Sequence, residues 1–104
     1  GEVRRAAQAG TVTEQEVLAD YAAHLRALAP VTGRALRVVV DAGNGMAGHT
    51  APAVLGSIDG LDVVPLFWEL DGRFPHHDAN PIEPENLRDL QGAVRSSGAD
   101  AGLA

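Results

Sequence analysis

From residue 17 onward the apolar positions of this chain alternate between helical and strand-like spacing. Val17, Tyr21, Leu25 and Leu28 recur at helical intervals, which places one apolar stripe along a helix. Its start is predicted at Thr13-Glu14-Gln15-Glu16, the pattern of a capping box in which the Thr hydroxyl and the Glu carboxylate satisfy unpaired helix amides. Pro30 and Gly33 close it. The β-branched run Leu36-Arg37-Val38-Val39-Val40-Asp41 then reads as a strand, followed by a glycine-rich turn from Ala42 to Gly48. Ala51, Val54, Leu55 and Ile58 share one helical face. Because proline is tolerated in a first turn but costs about 3 kcal/mol deeper in a helix, Pro52 places the start of this second helix between Gly48 and Thr50.

A second strand is predicted over Leu61–Phe67, with Pro65 marking an edge position or a bulge. Residues 68–83 carry prolines and a glycine without periodicity, too long for a simple connection and so a shaped loop. Pro84 opens a third helix at its favoured first position, Leu87, Leu90 and Val94 supply the stripe, and Gly98 closes it. The small apolar residues Ala99–Ala104 read as a returning strand. The predicted order is one helix, then β-α-β-α-β. That alternation implies a three-layer α/β fold with a mainly parallel sheet and right-handed crossovers.

Composition narrows the partners. Apolar residues make up 45% and aromatics 4%, so at 104 residues the chain supports one core built from aliphatics. All eight basic residues are Arg, fourteen acids outnumber them, and the net charge of −6 has no basic run. Nucleic acid and anionic membrane are therefore not expected as partners. Cysteine is absent, which removes disulfides and thiolate metal sites. No apolar run is long enough to span a bilayer, and the first residues lack the apolar core of a signal peptide; the expected compartment is the cytoplasm.

Gly43-Asn44-Gly45-Met46-Ala47-Gly48 satisfies G-x-G-x-x-G between a strand and a helix, and Glu69 and Asp71 follow at the spacing of a ribose-binding acid. Gly43, Gly45 and Gly48 would then hold a dinucleotide pyrophosphate. Three objections oppose this. A helix beginning inside the glycine run would carry Pro52 in its interior, Asp41 would repel the phosphates, and the second strand runs into a long loop rather than another crossover helix. A tight turn needing glycine conformations explains the same residues. His76-His77-Asp78, with Asp71 upstream, offers metal-ligating atom types. Adjacent histidines diverge on most backbones, however, so a solvated loop is the expectation and no metal site is assigned. His24 and His49 lack a partner at a telling spacing, and Ser57, Ser96 and Ser97 lack the context of a nucleophile. No catalytic constellation is found.

The motifs DAGNGMAG (41–48), DGRFPHHDANP (71–81), PENLRDL (84–90) and GADAGLA (98–104), in this order, resemble the second domain of the phosphomannomutase/phosphoglucomutase family. Residues 1–34 are similar to the segment by which such proteins leave their first domain, and residues 35–104 to most of the second α/β domain. The resemblance implies a four-domain enzyme that interconverts hexose 1-phosphates and 6-phosphates in carbohydrate metabolism. A phosphoserine in the first domain carries the phosphoryl group, and a magnesium ion held by an Asp-Gly-Asp-x-Asp loop of the second assists it. The third and fourth domains grip the sugar phosphate. None of those motifs occurs here. The expectation is therefore a piece that ends shortly before its first metal ligand, is inert alone, and has the other three domains of its chain as partners. Arg73, His76 and His77 are the residues expected near the substrate cleft. The alternatives are a dinucleotide-binding module and a non-catalytic interaction domain using the loop 68–83.

Overall fold

The β-branched run Leu36–Asp41 forms the central strand, β1, of a parallel sheet in the computed structural model, which describes residues 3 and 6–104. Strand β2, Leu61–Leu66, pairs with β1 in parallel with Val39 opposite Val64. Strand β3, Ala101–Leu103, pairs on the other side with Val39 opposite Gly102. Among the described residues the sheet order is β2-β1-β3, so Pro65 lies on an edge strand there, where its missing N–H costs no ladder bond. Val38, Val39 and Val40 are all buried, and Val39 is 0% exposed, as expected for a parallel strand covered on both faces.

Two layers of helix provide that cover. Helices α1, Leu18–Leu28, and α2, Ala47–Leu55, pack on each other and over the face that carries Val40 and Leu103. Helix α3, Arg88–Ser97, lies on the opposite face. There a Cβ on Gly102 would meet Leu90 Cδ1 at 2.9 Å and Val94 Cγ2 at 2.9 Å. The order α-β-α-β-α-β and the three layers thus agree with the sequence expectation.

The differences lie at boundaries. The Thr13 capping box does not form: residues 13–17 are not helical, and α1 starts at Leu18, whose amide donates to Glu16 Oε1 at 2.8 Å. Short helices depend on packing, and Val12 and Val17 remain 95% and 58% exposed with nothing to pack on. The inward face is also rotated from the predicted stripe. Ala22 is its buried residue, Leu18, Leu25 and Arg26 flank it half-buried, and Tyr21 and Leu28 are exposed. Small Ala22 and Ala51 are the two buried helix residues on this side, and Arg26 Nη1 reaches the Ala53 carbonyl at 2.9 Å.

Helix α2 starts at Ala47, ahead of the predicted window, and Pro52 lies inside it. The first turn takes tight i→i−3 bonds from Gly48 to Gly45 and from His49 to Met46. It ends before Ile58, which sits in the following turn with its amide on the Leu55 carbonyl at 3.1 Å. β2 stops one residue short of Phe67, because Phe67 takes φ 53° and leaves the extended region. Pro84 opens a 3₁₀ turn, Pro84–Leu87, that leads into α3. Gly98 closes α3 with φ 63°, and both its amide and that of Ala99 turn back to the Val94 carbonyl. The last strand is shorter than the predicted 99–104, since Asp100 is occupied by Arg34 and by the Arg37 amide. No helix among the described residues is long and apolar enough to cross a membrane.

Candidate functional site

Parallel strands deliver their following loops to one end of the sheet, which is where open α/β sheets present ligand-handling residues. Here the loop after β1 and the loop after β2 meet at that end and are bonded together. Asn44, between two glycines, takes φ 62° beside Gly43 at φ 50°; short polar Asn and Gly adopt this left-handed region at least cost. The turn aims every hydrogen-bonding group of Asn44 at the second loop. Its amide donates to the Phe67 carbonyl at 2.8 Å and its carbonyl accepts from the Asp71 amide at 3.0 Å. The side-chain nitrogen donates to the Glu69 carbonyl at 2.8 Å, and the side-chain oxygen lies 2.7 Å from His76 Nδ1. Asn44 is buried, and all of its polar groups are matched.

Asp41 makes the second tie. One carboxylate oxygen accepts from the Gly43 amide at 2.8 Å, and the other lies 3.0 Å from His77 Nε2. Its side chain is 1% exposed. The Nδ1 of His77 faces the Asp78 carbonyl at 2.9 Å. That carbonyl, reinforced by Asp41, raises the imidazole above the ordinary histidine range. Phe67 supports both rings: His76 stacks on it at 3.9 Å between centroids, and His77 meets it edge-on at 5.6 Å. The third tie is steric. A Cβ on Gly48 would lie 2.0 Å from the Trp68 carbonyl oxygen, while the Trp68 indole donates to the Val40 carbonyl at 2.7 Å.

The loop is largely exposed, His76 included and His77 half-buried, yet both rings lie against the glycine loop, because Phe67, Asn44 and Asp41 give each of them a partner. Arg73 is not brought in. It forms a two-pronged pair with Asp71, Nε at 2.8 Å and Nη2 at 2.6 Å, with the guanidinium side chain 87% exposed. That pair holds the Asp71 carboxyl below the usual carboxylate range. Asn44, Phe67 and Trp68 were not singled out from sequence. An Asn between glycines is the one signal that pointed to a left-handed position.

The glycines do not form a phosphate cradle. The amides of Gly43, Asn44, Gly45 and Gly48 are all bonded within the chain, and the Asp41 carboxylate already occupies the Gly43 amide. The Pro52 objection itself falls, since α2 begins inside the glycine run and carries the proline. The buried anion at Asp41 stands, and Gly48 is explained by Trp68.

The family model for phosphoglucomutase/phosphomannomutase, alpha/beta/alpha domain II, matches residues 19–104. The chain belongs to this family. A phosphomannomutase/phosphoglucomutase of Pseudomonas putida is 54% identical over 69 residues, covering 66% of this chain and 15% of the relative. One of Pseudomonas syringae pv. tomato is 43% identical over 97 residues, covering 93% of this chain and 20% of the relative. A crystal structure of a phosphoglucomutase/phosphomannomutase family protein from Burkholderia thailandensis superposes with a TM-score of 0.75 at 36% identity, over 84% of this chain and 19% of that one. The chain thus spans about one fifth or less of the length of these relatives. The family implies a magnesium ion, and the residues present do not fit it. Among the described residues no three His, Asp or Glu side chains gather as ligands, and the chain has no Asp-Gly-Asp-x-Asp sequence.

Proposed function

We propose that this chain serves as the second α/β unit of a phosphohexomutase, which interconverts hexose 1-phosphates and 6-phosphates of the mannose or glucose type. In this reading it acts as scaffold and not as the source of reacting groups. The observation that carries the proposal is the family match from residue 19 to residue 104 on a unit whose two strand-end loops are locked together. Phosphoryl transfer depends on positioning and charge stabilisation more than on covalent chemistry from the protein. A rigid strand-end platform is what such a reaction requires of a neighbouring domain.

The loop Arg73–Asn80 forms one wall of the substrate cleft in this reading. Arg73, fixed by Asp71 yet exposed, supplies a positive charge toward an anionic sugar phosphate, while His76 and His77 hold the loop's shape. The magnesium ion, the phosphoserine and the sugar-gripping residues belong to other parts of the protein, and the compartment is the cytoplasm. The test is to assay the complete gene product with magnesium on mannose 1-phosphate and glucose 1-phosphate. Conversion to the 6-phosphates supports the reading; no turnover of either sugar overturns it. An Arg73→Ala variant that raises KM with kcat unchanged supports the cleft-wall role, and unchanged KM and kcat remove it.

A further inference from the structure

The imidazole of His77 has an acceptor on each nitrogen. Nε2 faces a carboxylate oxygen of Asp41 at 3.0 Å, and Nδ1 faces the Asp78 carbonyl at 2.9 Å. Neither acceptor donates: the carbonyl has no proton, and Asp41 as a carboxylate has none either, its other oxygen accepting from the Gly43 amide. A neutral imidazole carries one N–H and one lone pair, so it satisfies one of the two contacts and sets a lone pair against an oxygen at the other. Only the imidazolium donates to both. The Asp78 backbone carbonyl favours the proton most, burial of the ring opposes it, and the charges of Asp41 from β1 and Asp89 from α3 favour it further, so that the balance lies with the imidazolium. Gly43 and Phe67 add contact without charge. The nearest heavy atom to a Cβ built on Gly43 is His77 Cε1 at 3.0 Å, so the ring fits against this turn because residue 43 lacks a side chain.

We propose that His77 is a proton-operated clasp, which as imidazolium ties the buried Asp41 at the end of β1 to the carbonyl of Asp78 and on losing its proton releases Asp78–Pro81 from the glycine loop. The Nε2 proton is the one retained, because Asp41 is buried and charged and costs most to leave unpaired. Nδ1 then presents a lone pair to the Asp78 carbonyl, and that peptide turns away. The same carbonyl accepts from the Asn80 amide at 2.7 Å, so its rotation breaks the next turn as well. Ala79, Asn80 and Pro81 wall a cavity of about 180 Å³ at the strand ends, with Gly43, Phe74 and Leu87 on its other sides. Releasing the segment opens that cavity. The clasp does not rest on the mutase reading.

The experiment is a pH titration of the nitrogen-labelled chain, following the imidazole nitrogens of His77 together with the backbone amides of Gly43 and Asn80. The expected result is imidazolium at both nitrogens up to a midpoint above the ordinary histidine value of about 6.5. The two amides shift with that same midpoint, and the Asn80 amide loses hydrogen-exchange protection above it. In His76→Gln the midpoint stays; in His77→Gln it vanishes from Gly43 and Asn80. A His77 that is neutral and of one tautomer across the range overturns the proposal, as do loop amides that ignore its titration. The wild-type titration decides even where a variant unfolds, and no catalytic assay enters, so its failure is separate from failure of the proposed activity.

Discussion

At the residue scale the strand-end platform rests on atoms that have no room to move. Gly48 is the clearest. The contact its Cβ would make is with the backbone oxygen of Trp68 at 2.0 Å, which no side-chain rotation relieves. Gly48→Ala is therefore expected to destabilise the chain by about 2 kcal/mol or more, read as a lower urea midpoint at unchanged slope; a midpoint within error of wild type would mean that the two loops part without cost. His77 carries a different signature. Its folded pKa is raised, so its contribution is fully present below the unfolded value of about 6.5 and is lost as pH rises through the folded value. Urea melts should show stability falling with rising pH across that window. His77→Gln should flatten the slope and cost roughly 1–3 kcal/mol on its acid side, whereas an unaltered slope would assign it to another group. The sequence offered both histidines but not their partners. Asp41 was legible as an anion in a glycine loop; that it would cap Gly43 and hold His77 depended on a contact 36 positions away in the chain.

At the scale of elements the strands were the most legible. Leu36–Asp41 was placed to the residue, because three consecutive valines suit a strand buried on both faces. Helix starts were least legible. Thr13 carried the right local chemistry, yet no neighbour buries the turn it would have begun. Pro52 argued for a later α2, yet the helix accepts it inside a nine-residue element whose opening turn is already tightened. The C-terminus of α3 was read correctly because Gly98 has one local reason to be glycine, φ 63° and ψ 32°. Gly98→Ala should cost about 1 kcal/mol, and Gly98→Asn less, since Asn tolerates this region. Thermal melts of the two variants test the order. Equal losses would show that the side chain at 98 matters through packing rather than through backbone conformation.

For the whole molecule, composition foresaw an aliphatic core but not how little of it closes. The radius of gyration is 18.5 Å, against roughly 13 Å for a compact chain of about this length; residues 6–17 run exposed outside the layers. On the far side of the sheet β3 is an edge strand among the described residues, and Leu103 is 50% exposed. Apolar grooves flank it on both faces, one of about 310 Å³ beside Tyr21, Leu25 and Val54, the other of about 340 Å³ beside Leu87, Leu90 and Val94. An unpaired edge between two apolar grooves offers backbone hydrogen bonds and greasy surface together, the combination that drives strand addition. The 104-residue chain is accordingly expected to self-associate as its concentration rises, despite a net charge of −6 that opposes contact between copies. Sedimentation velocity across a concentration series reads this directly. Leu103→Lys should return the chain to a monomer, because a charge on a short edge strand blocks pairing while Leu103 contributes only half of its surface to the core. Association that persists in Leu103→Lys would move the contact to another surface, and a wild-type chain that stays monomeric throughout would show that charge repulsion outweighs the open edge.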